Sequence, residues 1–197
     1  MFAQLRASIV MMVLFTLVFG LAYPFAMTAI AGLAFPDQAS GSLVRDKSGQ
    51  VIGSALIAQA FAKPGYLHPR PSAAGTNGYD ATASGGSNLG PMDPALAKRI
   101  AGDSAAIRKD IPDADIPADA VTTSGSGLDP DVSPANARMQ AVRIAKARGI
   151  PVAEVQAVID AQTGQPFLGF IGQPHVNVLA VNRALDARMP AGHPKAS

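Results

Sequence analysis

The chain has 197 residues, with 16 Lys+Arg against 14 Asp+Glu and a formal net charge of +2. That near-balance excludes the concentrated basic face of a dedicated nucleic-acid binder. The absence of Cys excludes disulfide scaffolds, thiol nucleophiles, iron–sulfur clusters and cysteine zinc sites.

The apolar content is concentrated at the start. Phe2, Phe15, Phe19, Tyr23, Phe25 and Phe35 are six of the 11 aromatics, and Ala7 to Phe35 is a run of 29 uncharged residues. About 20 apolar residues cross a hydrocarbon core of about 30 Å. The segment therefore reads as a transmembrane helix, kinked or marked in its outer third by Pro24. A cleaved signal peptide ending at Ala29-Ile30-Ala31 is the alternative, but its apolar region would be twice the usual length. Arg6 flanks one end and Asp37 the other. The basic-inside rule then places a short N-terminus in the cytoplasm and the bulk of the chain outside. Three parts follow: residues 1–35 with the span, 36–189 as one soluble domain, and 190–197 as a flexible tail.

Ser42 to Leu56 predicts a β-hairpin around the turn Asp46-Lys47-Ser48-Gly49, with Gly placed for a left-handed residue. Ala55 to Phe61 predicts a short helix. Tyr66 to Ser72 contains two X-Pro steps and is extended. Ser84 to Gly90 is a Gly/Ser/Asn run, either a linker or an anion-binding backbone nest. Asp93 caps a helix with Pro94 at its first position, running toward Lys109. Ser133 and Pro134 open a second helix that Gly149 closes, with Ala135, Met139 and Val142 as an apolar stripe. Pro151 to Gln162 predicts a third helix, with Val152, Val155, Val158 and Ile159 inward. Phe167 to Ile171 predicts a strand. Val176 to Val181 predicts another strand, leading into a helical turn at Asn182–Arg188. The fold class is mixed α/β (α+β): an extracytoplasmic domain on one N-terminal transmembrane helix.

The linear pattern holds no phosphate-binding Gly-x4-Gly-Lys loop and no Gly-x-Ser-x-Gly elbow. His68, His175 and His193 are far apart and lack metal-ligand spacing, and Glu154 is the only Glu. No metal site and no catalytic residue is expected. Arg138, Arg143, Lys146 and Arg148 make one helix basic. They form either a solvated face or a surface for phosphate, lipid headgroups or an acidic partner. Gln140 neighbours Arg143 on that helix. A membrane-anchored hydrolase using Ser87 or Ser126 would need a His and an acid converging on one serine, which the pattern does not show. A solute-binding module built on the Gly/Ser loops is a further alternative.

Three segments carry a resemblance. They are Tyr66-Leu67-His68-Pro69-Arg70-Pro71-Ser72-Ala73 with Ser84-Gly85-Gly86-Ser87-Asn88-Leu89-Gly90, then Thr122 to Pro130 with Ser133-Pro134, then Val176-Asn177-Val178-Leu179. Behind one N-terminal span, their order and spacing closely resemble the KdpC family, the small subunits of bacterial potassium-transporting P-type ATPases. The resemblance implies a non-catalytic subunit in the cell (inner) membrane. Its implied partners are a channel-like potassium-binding subunit, a P-type ATP-hydrolysing subunit and membrane lipid. It also implies a catalytic chaperone that raises ATP affinity, with Gln140 and Arg143 matching a segment assigned to nucleotide contact. No cofactor of its own is implied, and ATP would reach it only through the partner subunit. A domain outside the membrane conflicts with direct ATP contact. An external stabilising role and nucleotide contact therefore stand as competing expectations.

Overall fold

A computed structural model describes residues 2–188. The expected tail at 190–197 lies outside them. The chain divides into two units after Val44.

The first unit is helical. Helix α1 (Phe2–Phe15) passes into a π-helical stretch, Thr16–Ala22, and on into α2 (Tyr23–Ala34). Proline lacks an N–H and crowds the carbonyl four residues back. Widening the helix just ahead of Pro24 accommodates it without breaking the rod, so the expected kink is a π-helical bulge. Gln4–Ala34 gives 31 residues, long and apolar enough to cross a membrane. At 1.5 Å per residue that exceeds a hydrocarbon core of about 30 Å. A short helix, α3 (Pro36–Ala39), follows.

The second unit begins within a hairpin. Its strands are β1 (Leu43–Arg45) and β2 (Val51–Ser54). The Asp46 carboxylate caps its own turn, accepting from Ser48 N at 2.8 Å and Gln50 N at 3.0 Å. Gly49 takes φ +85°, as the turn requires. No helix forms at Ala55–Phe61. That segment is irregular, with a single bridge between Ser54 and Ile57.

Helix α4 (Pro94–Asp110) starts at the expected cap, where Asp93 accepts from Ala95 N at 2.8 Å. A one-turn helix, α5 (Ala118–Val121), leads to strand β3 (Asp131–Val132). Helix α6 (Pro134–Arg148) is capped by Ser133 and closed by Gly149 at φ +68°. Helix α7 is Val152–Ala161, with Val155, Val158 and Ile159 buried as expected. Strands β4 (Thr163–Gly164) and β5 (His175–Asn177) follow, and α8 (Val178–Arg188) ends the described chain. The three short strands form an antiparallel sheet in the order β3-β5-β4. Asp131 stands opposite Asn177, and Thr163 opposite Val176.

Burial of α6, α7 and α8 against this sheet forms one apolar core, including Ile144, Val158, Ile159, Val176, Val181 and Leu185. The mixed α/β expectation holds for the architecture. Besides the missing helix at Ala55–Phe61, three expectations need correction. The inward face of α6 is Ala137, Gln140, Ala141, Ile144 and Ala145; Ala135 and Val142 are exposed. Val178 to Val181 is the first turn of α8 rather than strand. Phe167 to Ile171 is a tight turn closed by a bridge between its ends, with its large side chains outward.

Candidate functional site

Tyr66 to Ser72, called the strap below, crosses the core surface with no regular secondary structure. Buried peptide groups need partners, and here side chains supply them. Asn182 of α8 accepts from Leu67 N at 2.7 Å and donates to Leu67 O at 2.9 Å. Gln140 of α6 does the same for His68, at 2.8 and 3.0 Å. Each amide copies the two-bond pairing of an antiparallel neighbour. Leu67 is fully buried between them.

The rest of the strap, and Pro64 and Gly65 just before it, are fastened similarly. Arg143 donates to Pro64 O and to Tyr66 O. Arg148, its side chain 1% exposed, bonds Gly65 O at 2.6 Å and Asp186 at 2.8 Å. Its guanidinium also lies 5.1 Å from the centre of the Tyr66 ring. The Tyr66 hydroxyl donates to Asp186 at 3.1 Å. Burial, then Asp186, raises the pKa of that phenol. Arg70 pairs with Asp129 at 3.0 Å, and Ser72 Oγ donates to Gly127 O at 2.6 Å.

The two Gly-rich segments meet beside the strap. Gly85 N donates to Ser126 O at 2.8 Å. A Cβ on Gly86 would stand 3.1 Å from Gly125 O, and one on Gly127 would stand 2.5 Å from Gly85 O. Close backbone packing thus accounts for these glycines. The Gly85 N–H that an anion nest would use is bonded to a carbonyl. Neither Ser87 nor Ser126 has a histidine among its hydrogen-bond partners; Ser126 Oγ accepts from Leu128 N and lies 3.4 Å from Ser124 Oγ. Among the described residues no group of three His, Cys, Asp or Glu is placed to hold a metal.

Gln140 and Arg143 do come together. Arg143 donates to Gln140 Oε1 at 2.6 Å, and both line a cavity of about 350 Å³ with His68, Met139, Ile107 and Asp110. Gln140 also donates to Asn136 Oδ1 at 2.8 Å. Its two donor hydrogens and two acceptor lone pairs are then all engaged. Asn136, 1% exposed, continues the network by donating to Asp119. Burial pushes the Arg143 pKa down, with Asp110 pulling it back. Burial, then Arg143, lowers that of His68.

The basic helix is not a basic face. Arg138 pairs with Asp160 at 2.9 Å, Arg143 and Arg148 point into the strap, and Lys146 is exposed. The linear pattern does not single out Asn136, Asn182 or Asp186, and it counts Arg148 only toward a basic helix. Their signal was polar residues on helix faces that are otherwise apolar: Asn136 and Gln140 among Ala137, Ala141 and Ile144, and Asn182 among Val178, Val181 and Leu185.

The family model described as "KdpC: K+-transporting ATPase, c chain" matches residues 5–187. The chain is 64% identical over 190 residues to the potassium-transporting ATPase KdpC subunit of Caulobacter vibrioides (strain NA1000 / CB15N), covering 96% of each chain. It is 65% identical over 191 residues to that of Caulobacter sp. (strain K31), covering 97% of each. Against the same subunit of Beijerinckia indica subsp. indica, identity is 58% over 196 residues, covering 98% of each.

Proposed function

The chain belongs to the KdpC family of potassium-transporting ATPase subunits, and from that premise we propose that it is the non-catalytic, assembly-stabilising subunit of an ATP-driven potassium importer. Its partners in this reading are a channel-like potassium-binding subunit and a P-type ATP-hydrolysing subunit. The N-terminal helix anchors it once in the inner membrane, with the N-terminus cytoplasmic and residues 36–189 outside. The apolar, 31-residue helix and Arg6 at its start support this placement.

The observation that carries the reading is the saturation of Gln140. Its amide is spent on His68, Asn136 and Arg143. Touching a nucleotide would mean breaking bonds that hold the strap, and each buried group left unpaired costs about 1–3 kcal/mol. The chain therefore raises the ATP affinity of its partner by holding the assembly in a competent form. In this proposal Gln140 and Arg143 serve that affinity through the strap, not by nucleotide contact.

The test uses the assembled pump with Gln140→Ala. The reading expects the KM for ATP to rise together with a lowered thermal midpoint of this subunit. It further expects full rescue of both when a second, stabilising change restores the midpoint. A raised KM with an unchanged midpoint would instead put Gln140 at the nucleotide.

A further inference from the structure

Phe167, Leu168, Phe170 and Ile171 are 69, 69, 76 and 51% exposed, side by side on one turn. Four large apolar side chains packed into five residues and left in solvent mark an interaction site far more often than an accident of surface. The turn is built to hold them there. Phe167 and Ile171 exchange both backbone hydrogen bonds at 2.9 Å. Gly169 N donates to Pro166 O at 3.0 Å, and Phe170 N to Phe167 O at 3.3 Å. Leu168 sits at φ +53°, a region that a branched aliphatic residue rarely occupies. The domain does not use this tip for its own core, so its stability gives no reason for the apolar side chains or the strain.

Charge selects the partner. From Asp160 to Arg183 the intervening chain has no Asp, Glu, Lys or Arg. The base of the turn, at Gln173, Pro174 and His175, borders a cleft lined by Asp119, Asp129 and Asp131 against the single Arg70. Loops that dock on anionic membranes combine apolar tips with Lys or Arg. This one has an apolar tip over an acidic base, which an anionic headgroup layer repels. The complementary surface is an uncharged apolar groove with a basic rim, as a protein partner offers.

We propose that Phe167-Leu168-Gly169-Phe170-Ile171 is a preformed docking knob that inserts into an apolar, basic-rimmed groove on another subunit of the same pump. This rests on the reading of the chain as a pump subunit. The rigid turn presents its anchors at little ordering cost, which favours tight seating.

The test begins with the full chain carrying a tag, purified from membranes with its partners in mild detergent. Phe167→Ser with Phe170→Ser is expected to cut retention of the other pump subunits at least tenfold, as loss of central aromatic anchors does. The thermal midpoint of the chain is expected to stay put, because neither side chain packs in the core. Undiminished retention would overturn the proposal. A photocrosslinking amino acid in place of Phe170 gives the second, fold-independent readout. An adduct with a pump subunit, identified by mass spectrometry, supports the knob; adducts with lipid alone, or none, overturn it. If the chain is not a pump subunit at all, the unmodified chain retains no pump subunits, which separates that failure from this one.

Discussion

Two short segments, the strap and the knob, invert the usual link between regularity and burial. The strap Tyr66–Ser72 forms no helix or strand, yet Leu67 within it is wholly buried and its peptides are paired by Asn182 and Gln140. The turn Phe167–Ile171 closes its own hydrogen bonds and buries none of its large side chains. Regular backbone pairing is one way of satisfying peptide groups, and side-chain amides are another. The difference shows where each segment's residues are accounted for: the strap by the domain's own stability, the knob only by something outside it.

Substitutions sharpen that contrast. The largest expected effect is on the strap side. Leu67→Ala should cost about 2–5 kcal/mol, the range for emptying a buried aliphatic site. Asn182→Ala should follow at about 2 kcal/mol, since it strands both peptide groups of Leu67. On the knob side, Leu168→Gly should leave stability unchanged or raise it by up to about 1 kcal/mol, by relieving the positive φ. Denaturant unfolding of the full chain in detergent measures all three. A Leu168→Gly variant as damaged as Leu67→Ala would erase the contrast.

The smallest effect concerns pH. The pKa of His68 is lowered by burial and by Arg143. The unfolded chain takes up that proton near pH 6.5, where the folded chain resists it. The unfolded state then binds more protons, so stability falls as pH drops below about 6.5 and the loss levels off below the folded pKa. Thermal midpoints at pH 7.5 and 5.5 should show the loss, and His68→Asn should reduce it. A midpoint rising toward pH 5.5 would contradict the burial of this imidazole.

Much of the helical layout was legible because helix ends are written locally. Asp93-Pro94, Ser133-Pro134 and Gly149 each act within a few residues, and all three mark real boundaries. Which face of α6 points inward is decided by distant residues. The apolar stripe Ala135, Met139, Val142 looked inward, but the strap needs Gln140, so the polar amide took the buried position. Phe167 to Ile171 misled for the same reason: an apolar run reads as buried unless a partner outside the chain is supposed. Val176 to Val181 is β-branched enough to pass for strand, but its Asn177 caps α8 by accepting from Ala180 N at 3.0 Å. The three-residue spacing of Gln140 and Arg143 marks them as neighbours on the helix. Their joint work on the strap was hidden, because His68 lies 72 residues from Gln140 in sequence.

The central claim is that this domain works outside the membrane, on the assembly rather than on the nucleotide. The Cys-free background allows a direct measurement. Ala105 on α4 is exposed, and Ala105→Cys introduces a single thiol. Intact cells are treated with a membrane-impermeant maleimide, with lysed cells in parallel. The account expects full labelling before lysis. Labelling only after lysis would place the domain in the cytoplasm and contradict it.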